Sequence, residues 1–418
     1  MAFGGMIVAD GYSQFFKVLI AATLTLTALL SVRSLDDEQV PSGEYHALLL
    51  LASTGMMVAV SAQDLLTLYL SLELMTLCSY ILVGIRVGNP TSNEAAIKYF
   101  LLASFSSALL IYGIALTYGT TGTTKITGIA TALSGRVEPS ALVLFAAALL
   151  AIGFAFKIAA VPFHMWTPDV YQGAPTAVTA FMSAATKVAA FAALIRVLDV
   201  SFQPLTWNWQ PVVWTLAALT MAAGSLIAIA QTDVKRMLAY SSIAHAGFIL
   251  VGVSAPNSDG IEAALFYLVA YSAMILGAFG VVMLVSVRGE QHTSLESYRG
   301  LGRRSPVLGA LMTLFLLSLA GIPPTAGFFA KVFVFGAAVR AGAWPLVLIA
   351  VLASVVAAFF YIRVIVFMYM QEPEAREAPS LAPVPAVTLG ALAALTLLLG
   401  LLPGVVFGYL HAASVIAW

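Results

Sequence analysis

VLGALMTLFLLSLAGIPPTAGFFAKVFVFGAAVR, from Val307 to Arg340, runs for 34 residues with charge only at Lys331 and Arg340. As one straight helix it measures about 51 Å, against about 30 Å of hydrocarbon in a bilayer. The stretch must therefore tilt strongly or divide into two half-helices joined at Gly321 to Pro324. Proline removes a helix hydrogen bond and clashes with the carbonyl one turn earlier. In lipid the freed backbone groups need partners from protein or water. A second break of the same kind lies in KIAAVPFHMWTP at Pro162. Paired broken helices point to a transport path.

Composition agrees with a membrane setting. Of the 418 residues, 61% are hydrophobic and 9% charged, where soluble domains carry about 25% charged residues. Mean hydropathy is +0.98, which excludes a soluble enzyme. Nineteen basic residues balance nineteen acidic ones, so there is no electrostatic footprint for nucleic acid. Cys78 stands alone, and neither metal-ligand spacing nor a phosphate-binding glycine loop is present. No redox centre, nucleotide or metal is expected in this chain. The leading residues Met1 to Gln14 lack the basic start and small-residue cleavage site of a signal peptide.

Hydropathy predicts an all-α polytopic membrane protein of twelve spans. The first six are Phe15–Val32, His46–Gln63, Asp64–Ile85, Ile97–Thr117, Ser140–Trp166 and Pro175–Leu198. The others are Pro211–Gln231, Met237–Ser254, Glu262–Val287, Val307–Arg340, Trp344–Tyr369 and Pro385–His411. One set of loops carries ten cations: Arg33, Arg86, Lys98, Lys235, Arg236, Arg288, Arg299, Arg303, Arg304 and Arg376. The other carries five: Lys17, Lys125, Arg136, Arg196 and Arg340. The richer side should be cytoplasmic, with both termini outside.

EAAIKYFLLAS at Glu94–Ser104 and EAALFYLVAYS at Glu262–Ser272 share five of eleven residues at an offset of 168. Ala62 and Gln63 match Ala230 and Gln231 at the same offset. Five spans separate each pair, an odd number, so the two units should be inverted repeats. The expected organisation is a leading helix and loop over 1–45, five-helix repeats over 46–198 and 211–369, and a last helix in 385–418. Each repeat has its proline break in its fourth span.

Glu73, Lys157, Lys187 and Lys331 are the fully charged side chains deep within spans, and His245 adds a titratable ring. A central charge costs about 2.5 to 3.5 kcal/mol on insertion scales, so four together require a purpose. Tyr69, Thr76 and Tyr80 fall on the face of Glu73, and Thr176, Thr179 and Ser183 on that of Lys187. Burial lowers a lysine's proton affinity and a nearby carboxylate raises it, so such a group can exchange a proton when its partner moves. The plainer readings are a structural ion pair at Glu73 and lysines that satisfy broken-helix carbonyls at Lys157 and Lys331. Ser241 and Ser242, one turn before His245, suit a proton relay or a satisfied core histidine. His164, near a membrane face, is a weaker candidate of the same type. Lys235 is expected in a short loop as a positive-inside anchor or a proton entrance, with Asp233 capping the next helix. Arg363 lies near enough to a span end to snorkel.

The segments FKIAAVPFHMWTPDVYQGAPTAV, QTDVKRMLAYSSIAHAGF and SLAGIPPTAGFFAKVFVF, in this order, resemble the antiporter-like subunits of the proton-pumping NADH–quinone oxidoreductase. The resemblance runs from about Asp10 to the C-terminus. TPDVYQGAP and Lys331 are similar to the N type. The M type usually has glutamate at Lys331, and the L type has a long C-terminal extension. The resemblance implies that Glu73 pairs with a lysine, that Lys157 belongs to the first broken helix, that Lys187 is the central lysine, and that Lys331 serves the second half-channel. It implies a proton path along the membrane midplane, driven by quinone reduction elsewhere. NAD, FMN, iron–sulfur clusters and quinone would lie in partner subunits, membrane and peripheral, within a bacterial inner membrane. The other function considered is a subunit of a sodium–proton antiporter, and a third is a subunit that passes strain without moving an ion. Family members typically have fourteen spans. The start MAFGGMIVADGYSQFF resembles the beginning of the third family helix, so the first two are expected to be missing.

Overall fold

The computed structural model describes residues 2–134, 139–255, 257–286, 293–372 and 382–416. Arg136, Arg288 and Arg376, counted above among the loop cations, lie outside the described residues, as does Val287 at the end of the ninth expected span.

The chain is a bundle of helices. The first half contains α1 (Gly11–Asp37), α2 (Ser42–Ala59), α3 (Leu65–Val83), α4 (Pro90–Thr121), α5 (Ile126–Ser134), α6 (Ala141–Lys157) and α7 (Trp166–Gly173). It continues through α8 (Thr176–Phe181) and a π-helical turn, Met182–Thr186, into α9 (Lys187–Arg196). Then come α10 (Thr206–Ile229), α11 (Val234–Val253), α12 (Ser258–Val285), α13 (Leu301–Arg304) and α14 (Pro306–Ala320). The last are α15 (Ala326–Arg340), α16 (Trp344–Met370), α17 (Pro383–Leu401) and α18 (Phe407–Ser414).

Among the described residues, nine helices are long and apolar enough to cross a membrane alone. The other three expected spans fall on α2, of 18 residues, and on two interrupted helices, α6–α7 and α14–α15. The fifth expected span therefore extends past Trp166 to Gly173, with its break over 158–165. Val307–Arg340 resolves as two half-helices, the second of the two forms its length allowed. Both breaks contain a cis peptide bond before proline, at Val161–Pro162 and Pro323–Pro324.

Freed backbone groups at the breaks have partners, as lipid requires. Trp166 Nε1 donates to Phe156 O at 3.1 Å, and Val161 N donates to Thr220 Oγ1 at 2.9 Å. At the other break Gly321 takes φ +87° to end α14, a conformation that costs glycine little. Gly327 opens α15 so close to α14 that an added Cβ would lie 1.8 Å from Ser318 O. We expect Gly327→Ala to force the half-helices apart and reduce the amount of assembled protein, measured by blotting native gels of membranes. Wild-type levels of Gly327→Ala would mean that the backbone yields there.

The two expected units carry loops of the same construction. Asp64 caps α3 through Leu66 N and Thr67 N and accepts the Thr124 hydroxyl. Asp233 caps α11 through Arg236 N and accepts the Thr293 hydroxyl. Around the first aspartate, Leu65 N donates to Thr124 O and Ile126 N to Gln63 O. Around the second, Val234 N donates to Thr293 O and Leu295 N to Thr232 O. Their offset is 169 rather than 168, because Thr232 inserts one residue before the second aspartate.

Helices α8–α9, α11 and α12 form the centre. Their apolar windows are 100%, 89% and 94% buried, against 33% for α1 and α16 at the periphery. A helix apolar on every side belongs inside. Arg196, at the end of α9, is 1% exposed. Its Nη2 donates to both oxygens of Asp10 at 3.0 Å and to Val60 O at 3.2 Å. Burial by itself raises the Asp10 carboxyl, and Arg196 with the Ser13 amide more than reverses this, leaving it below the usual value. The pair's contribution is therefore complete above about pH 4 and lost as pH falls through the lowered value. Asp10→Asn keeps the helix cap and removes the charge, at an expected cost of about 3–5 kcal/mol. A lower thermal transition of the purified protein would show it, whereas an unchanged transition would mean that the guanidinium needs no counter-charge.

Candidate functional site

Four groups of polar side chains, each joining two or more helices, lie within the bundle. The first joins α3, α4 and α6. Lys157, the last residue of α6, donates to Glu73 Oε1 at 3.1 Å and to Thr76 Oγ1 at 2.7 Å. Ser107 on α4 donates to the same carboxylate oxygen at 2.6 Å. The expected alternative, in which Lys157 satisfies broken-helix carbonyls, gives way to this ion pair. Of the stripe expected beside Glu73, Thr76 takes part, while Tyr80 packs edge-on against Tyr99.

The second group centres on Lys187. Its ammonium donates to Ser242 Oγ at 2.6 Å and to Ser242 O at 2.5 Å, both on α11. The expected partners on its own helix turn elsewhere: Thr179 bonds Tyr171 O, and Ser183 bonds Ala180 O. The π-helical turn immediately before Lys187 is the physical reason. It adds a residue to the turn and rotates the lysine off the face that regular spacing assigns.

His245 forms the third group. Its Nδ1 lies 2.7 Å from Tyr267 OH and its Nε2 3.2 Å from Tyr361 OH. Tyr361 OH also bonds Ser241 Oγ. The serines thus sit near the histidine as expected, but Ser241 reaches it through Tyr361 and Ser242 serves Lys187. A neutral imidazole donates from one nitrogen and accepts at the other. The chain Ser241–Tyr361–His245–Tyr267 can therefore be polarised in either direction, and passing a proton along it reverses the polarity.

Lys331 makes the fourth. It donates to Ala320 O, the last carbonyl of α14, at 2.7 Å, and to Ser354 Oγ on α16 at 2.6 Å. Its ammonium also lies 4.8 Å from the ring centre of Phe248, one turn beyond His245. Here the broken-helix carbonyl is satisfied by the lysine, as the plainer reading supposed. Among the described residues no direct hydrogen bond joins Lys157 to Lys187 or His245 to Lys331.

The repeat relates the first group to the next two. At the offset of 169, Glu73 corresponds to Ser242 and Thr76 to His245. The second helix of each unit thus presents its polar residues at the same two heights.

Three further expectations are corrected or refined. Lys235 is no exposed loop anchor: it is the second residue of α11, 0% exposed, and donates to Ala174 O at 2.7 Å. The turn after α7 covers it, so the cation caps that turn. Asp233 does cap α11, and the next cation, Arg236, pairs with Asp169 at 2.6 Å. Arg363, half-buried on α16, donates to Ile229 O and Gln231 O at the end of α10. His164 lies half-buried in the turn of the first break. The reading of residues missed Ser107, Tyr267, Tyr361 and Ser354, because tyrosine and serine within apolar runs carry no sign of which way they face. Among the described residues no cluster of His, Cys, Asp or Glu suits a metal.

Comparison with known proteins matches residues 62–357 to a family described as NADH:quinone oxidoreductase/Mrp antiporter, TM. The chain is 43% identical over 405 residues to NADH-quinone oxidoreductase subunit N 1 of Solibacter usitatus, covering 96% of this chain and 83% of that one. It is 44% identical to NADH-quinone oxidoreductase subunit N of Trichlorobacter lovleyi, over 99% of this chain and 85% of the relative. Among solved structures, a chain of respiratory complex I from Thermus thermophilus with bound Aureothin superposes with a TM-score of 0.83 at 38% identity, covering 99% and 88%. A chain of the Mrp complex from Dietzia sp. superposes with a TM-score of 0.89 at 25% identity, covering 98% and 84%.

Proposed function

From the premise that this chain belongs to the NADH:quinone oxidoreductase/Mrp antiporter transmembrane family, we infer that its buried Glu–Lys–His line carries protons. The chain is an integral, multi-pass membrane subunit of a NADH–quinone oxidoreductase, of the antiporter-like N type. It works with other subunits of that complex, in the inner membrane of a bacterium. The NADH, flavin, iron–sulfur and quinone chemistry is assigned to those partners. This chain contributes translocation.

The observation that carries the reading is that each ionisable side chain within the bundle is held by a polar partner on another helix. Glu73–Lys157, Lys187–Ser242, Tyr361–His245–Tyr267 and Lys331–Ser354 follow one another from the first unit to the second. Glu73 holds Lys157, and a change in that pair alters the field felt by Lys187. Lys187 passes its proton by way of the Ser242 and Ser241 turn to Tyr361 and His245. Lys331 receives it and releases it on the far side. Intervening water completes the two gaps that side chains leave open. Lys235, at the α7–α8 turn, borders the entrance. The units at 46–198 and 211–369 form the two half-paths, with 1–45 and 385–418 as flanking helices. The cation-rich loops face the cytoplasm. The matching Asp–Thr loops support this division.

The test is Lys331→Met in inverted native membrane vesicles, recording NADH-driven quinone reduction and the pH gradient together. We expect both to fall with the complex still assembled. The likeness to the Mrp complex supports a second reading, cation–proton exchange. It would be favoured if NADH oxidation were untouched and sodium-driven proton movement lost. Wild-type behaviour in both assays would leave Lys331 as a cap for Ala320 O, with no part in transport.

A further inference from the structure

Two cations grip the turn Gly173–Ala174, which joins α7 to α8. Arg86 Nη2 donates to Gly173 O at 3.2 Å, and Lys235 Nζ donates to Ala174 O at 2.7 Å. These carbonyls close α7, where helix geometry leaves acceptors without partners and the helix dipole attracts positive charge. The guanidinium is itself fixed. Its Nη1 pairs with Glu38 Oε2 at 3.3 Å, the two side chains being 8% and 7% exposed. Ser34 in turn donates to Glu38 Oε1 at 3.1 Å.

Packing holds the turn as closely as the charges do. A Cβ added at Gly173 would lie 2.6 Å from Ala95 Cβ and 2.7 Å from Thr91 O, at the start of α4. The turn after the other interrupted helix is different. Gly342, between α15 and α16, is exposed, and an added Cβ there meets nothing within 4 Å. Joining an interrupted helix to its successor therefore needs no burial of the turn.

Helix α7 links this turn to two lysines of the path. At its start Trp166 donates to Phe156 O at 3.1 Å, beside Lys157. Near its end Tyr171 O accepts from Thr179 on α8 at 2.9 Å, and α8 leads through the π-helical turn to Lys187. The gripping cations come from the partners' side. Arg86 follows α3, the helix of Glu73, by three residues, and Lys235 stands on α11, the helix of Ser242. One turn thus sets Lys157 against Glu73 and Lys187 against Ser242. A shift of about 1 Å at Lys157 would take its bond to Glu73 out of hydrogen-bonding range.

We propose that Arg86, held by Glu38, is a positioning residue of the transport path, and that its grip on Gly173 O sets the places of Lys157 and Lys187. This role presupposes the proton path inferred above. It differs from a plain ion pair between two loops, which would need only that both charges be neutralised.

The experiment combines Glu38→Gln with Arg86→Met in the whole complex. No buried charge is left unpaired in the double variant, so assembly should survive. Amide hydrogen exchange over 170–178 is read by mass spectrometry, and pumping is measured per assembled complex. We expect exchange to rise and pumping to fall about tenfold. Arg86→Lys, which keeps one donor for Gly173 O, should pump at an intermediate rate, and it supplies the same comparison if the double variant does not assemble. Exchange at the wild-type level overturns the proposal. So does a loosened turn with full pumping while Lys331→Met is defective, since the turn's place would then not matter to the path. Full pumping in Lys331→Met as well would sink the transport reading first, and this role with it.

Discussion

Lys187→Met should lower NADH-driven proton pumping in inverted vesicles by about tenfold or more, equivalent to at least about 1.4 kcal/mol in the rate-limiting step, with the complex assembled. The ammonium bridges α9 to the Ser242 carbonyl and hydroxyl and has no other hydrogen bond among the described residues, so methionine removes the titratable group from the middle of the line. Its length and volume are close to those of lysine, and the central position becomes cheaper to insert by about 2.5 to 3.5 kcal/mol. Folding should therefore survive. Quinone reduction and the pH gradient recorded together, with native-gel blotting for assembly, check this. If both activities persist in an assembled complex, Lys187 only ties α9 to α11, and the proton route must bypass the π-helical turn.

The second large effect is expected from Glu73→Gln. Glutamine keeps the size of the side chain and an acceptor oxygen for Ser107 and Lys157. Only the charge is lost. If the ion pair is a switch, pumping should fall about tenfold, while the amount of complex in the membrane stays near that of wild type. Full pumping in Glu73→Gln would mean that the pair is a structural tie between α3 and α6. Glu73→Asp provides the complementary measurement: it keeps the charge and retracts it by one methylene, so partial pumping there with none in glutamine would assign the effect to charge.

These two positions also divide what could be read early from what could not. Each charge was conspicuous because it stood alone in an apolar run, and a charge in lipid is costly wherever its helix points. Its partner was another matter. Glu73 to Lys157 joins residues 84 apart, and Lys187 to Ser242 joins residues 55 apart. Regular helical spacing assigned Lys187 to a face with Thr176, Thr179 and Ser183, and one π-helical turn removed it from that face.

Legible before any folding were the membrane setting, the positions of most spans, the two proline breaks, the expectation of an inverted repeat and the charged residues worth attention. All of these rest on local properties: hydropathy summed over a window, a missing amide at proline, the cost of one charge, the parity of a count. Tertiary structure alone decided the rotation of each helix and hence every partner. It turned Tyr361 and Tyr267 towards His245 and set Lys331 between Ala320 O and Ser354. It also buried Lys235 beneath the α7–α8 turn, where a loop cation had been expected. Helix rotation is fixed by packing among many helices at once, and no single stretch of chain contains that information.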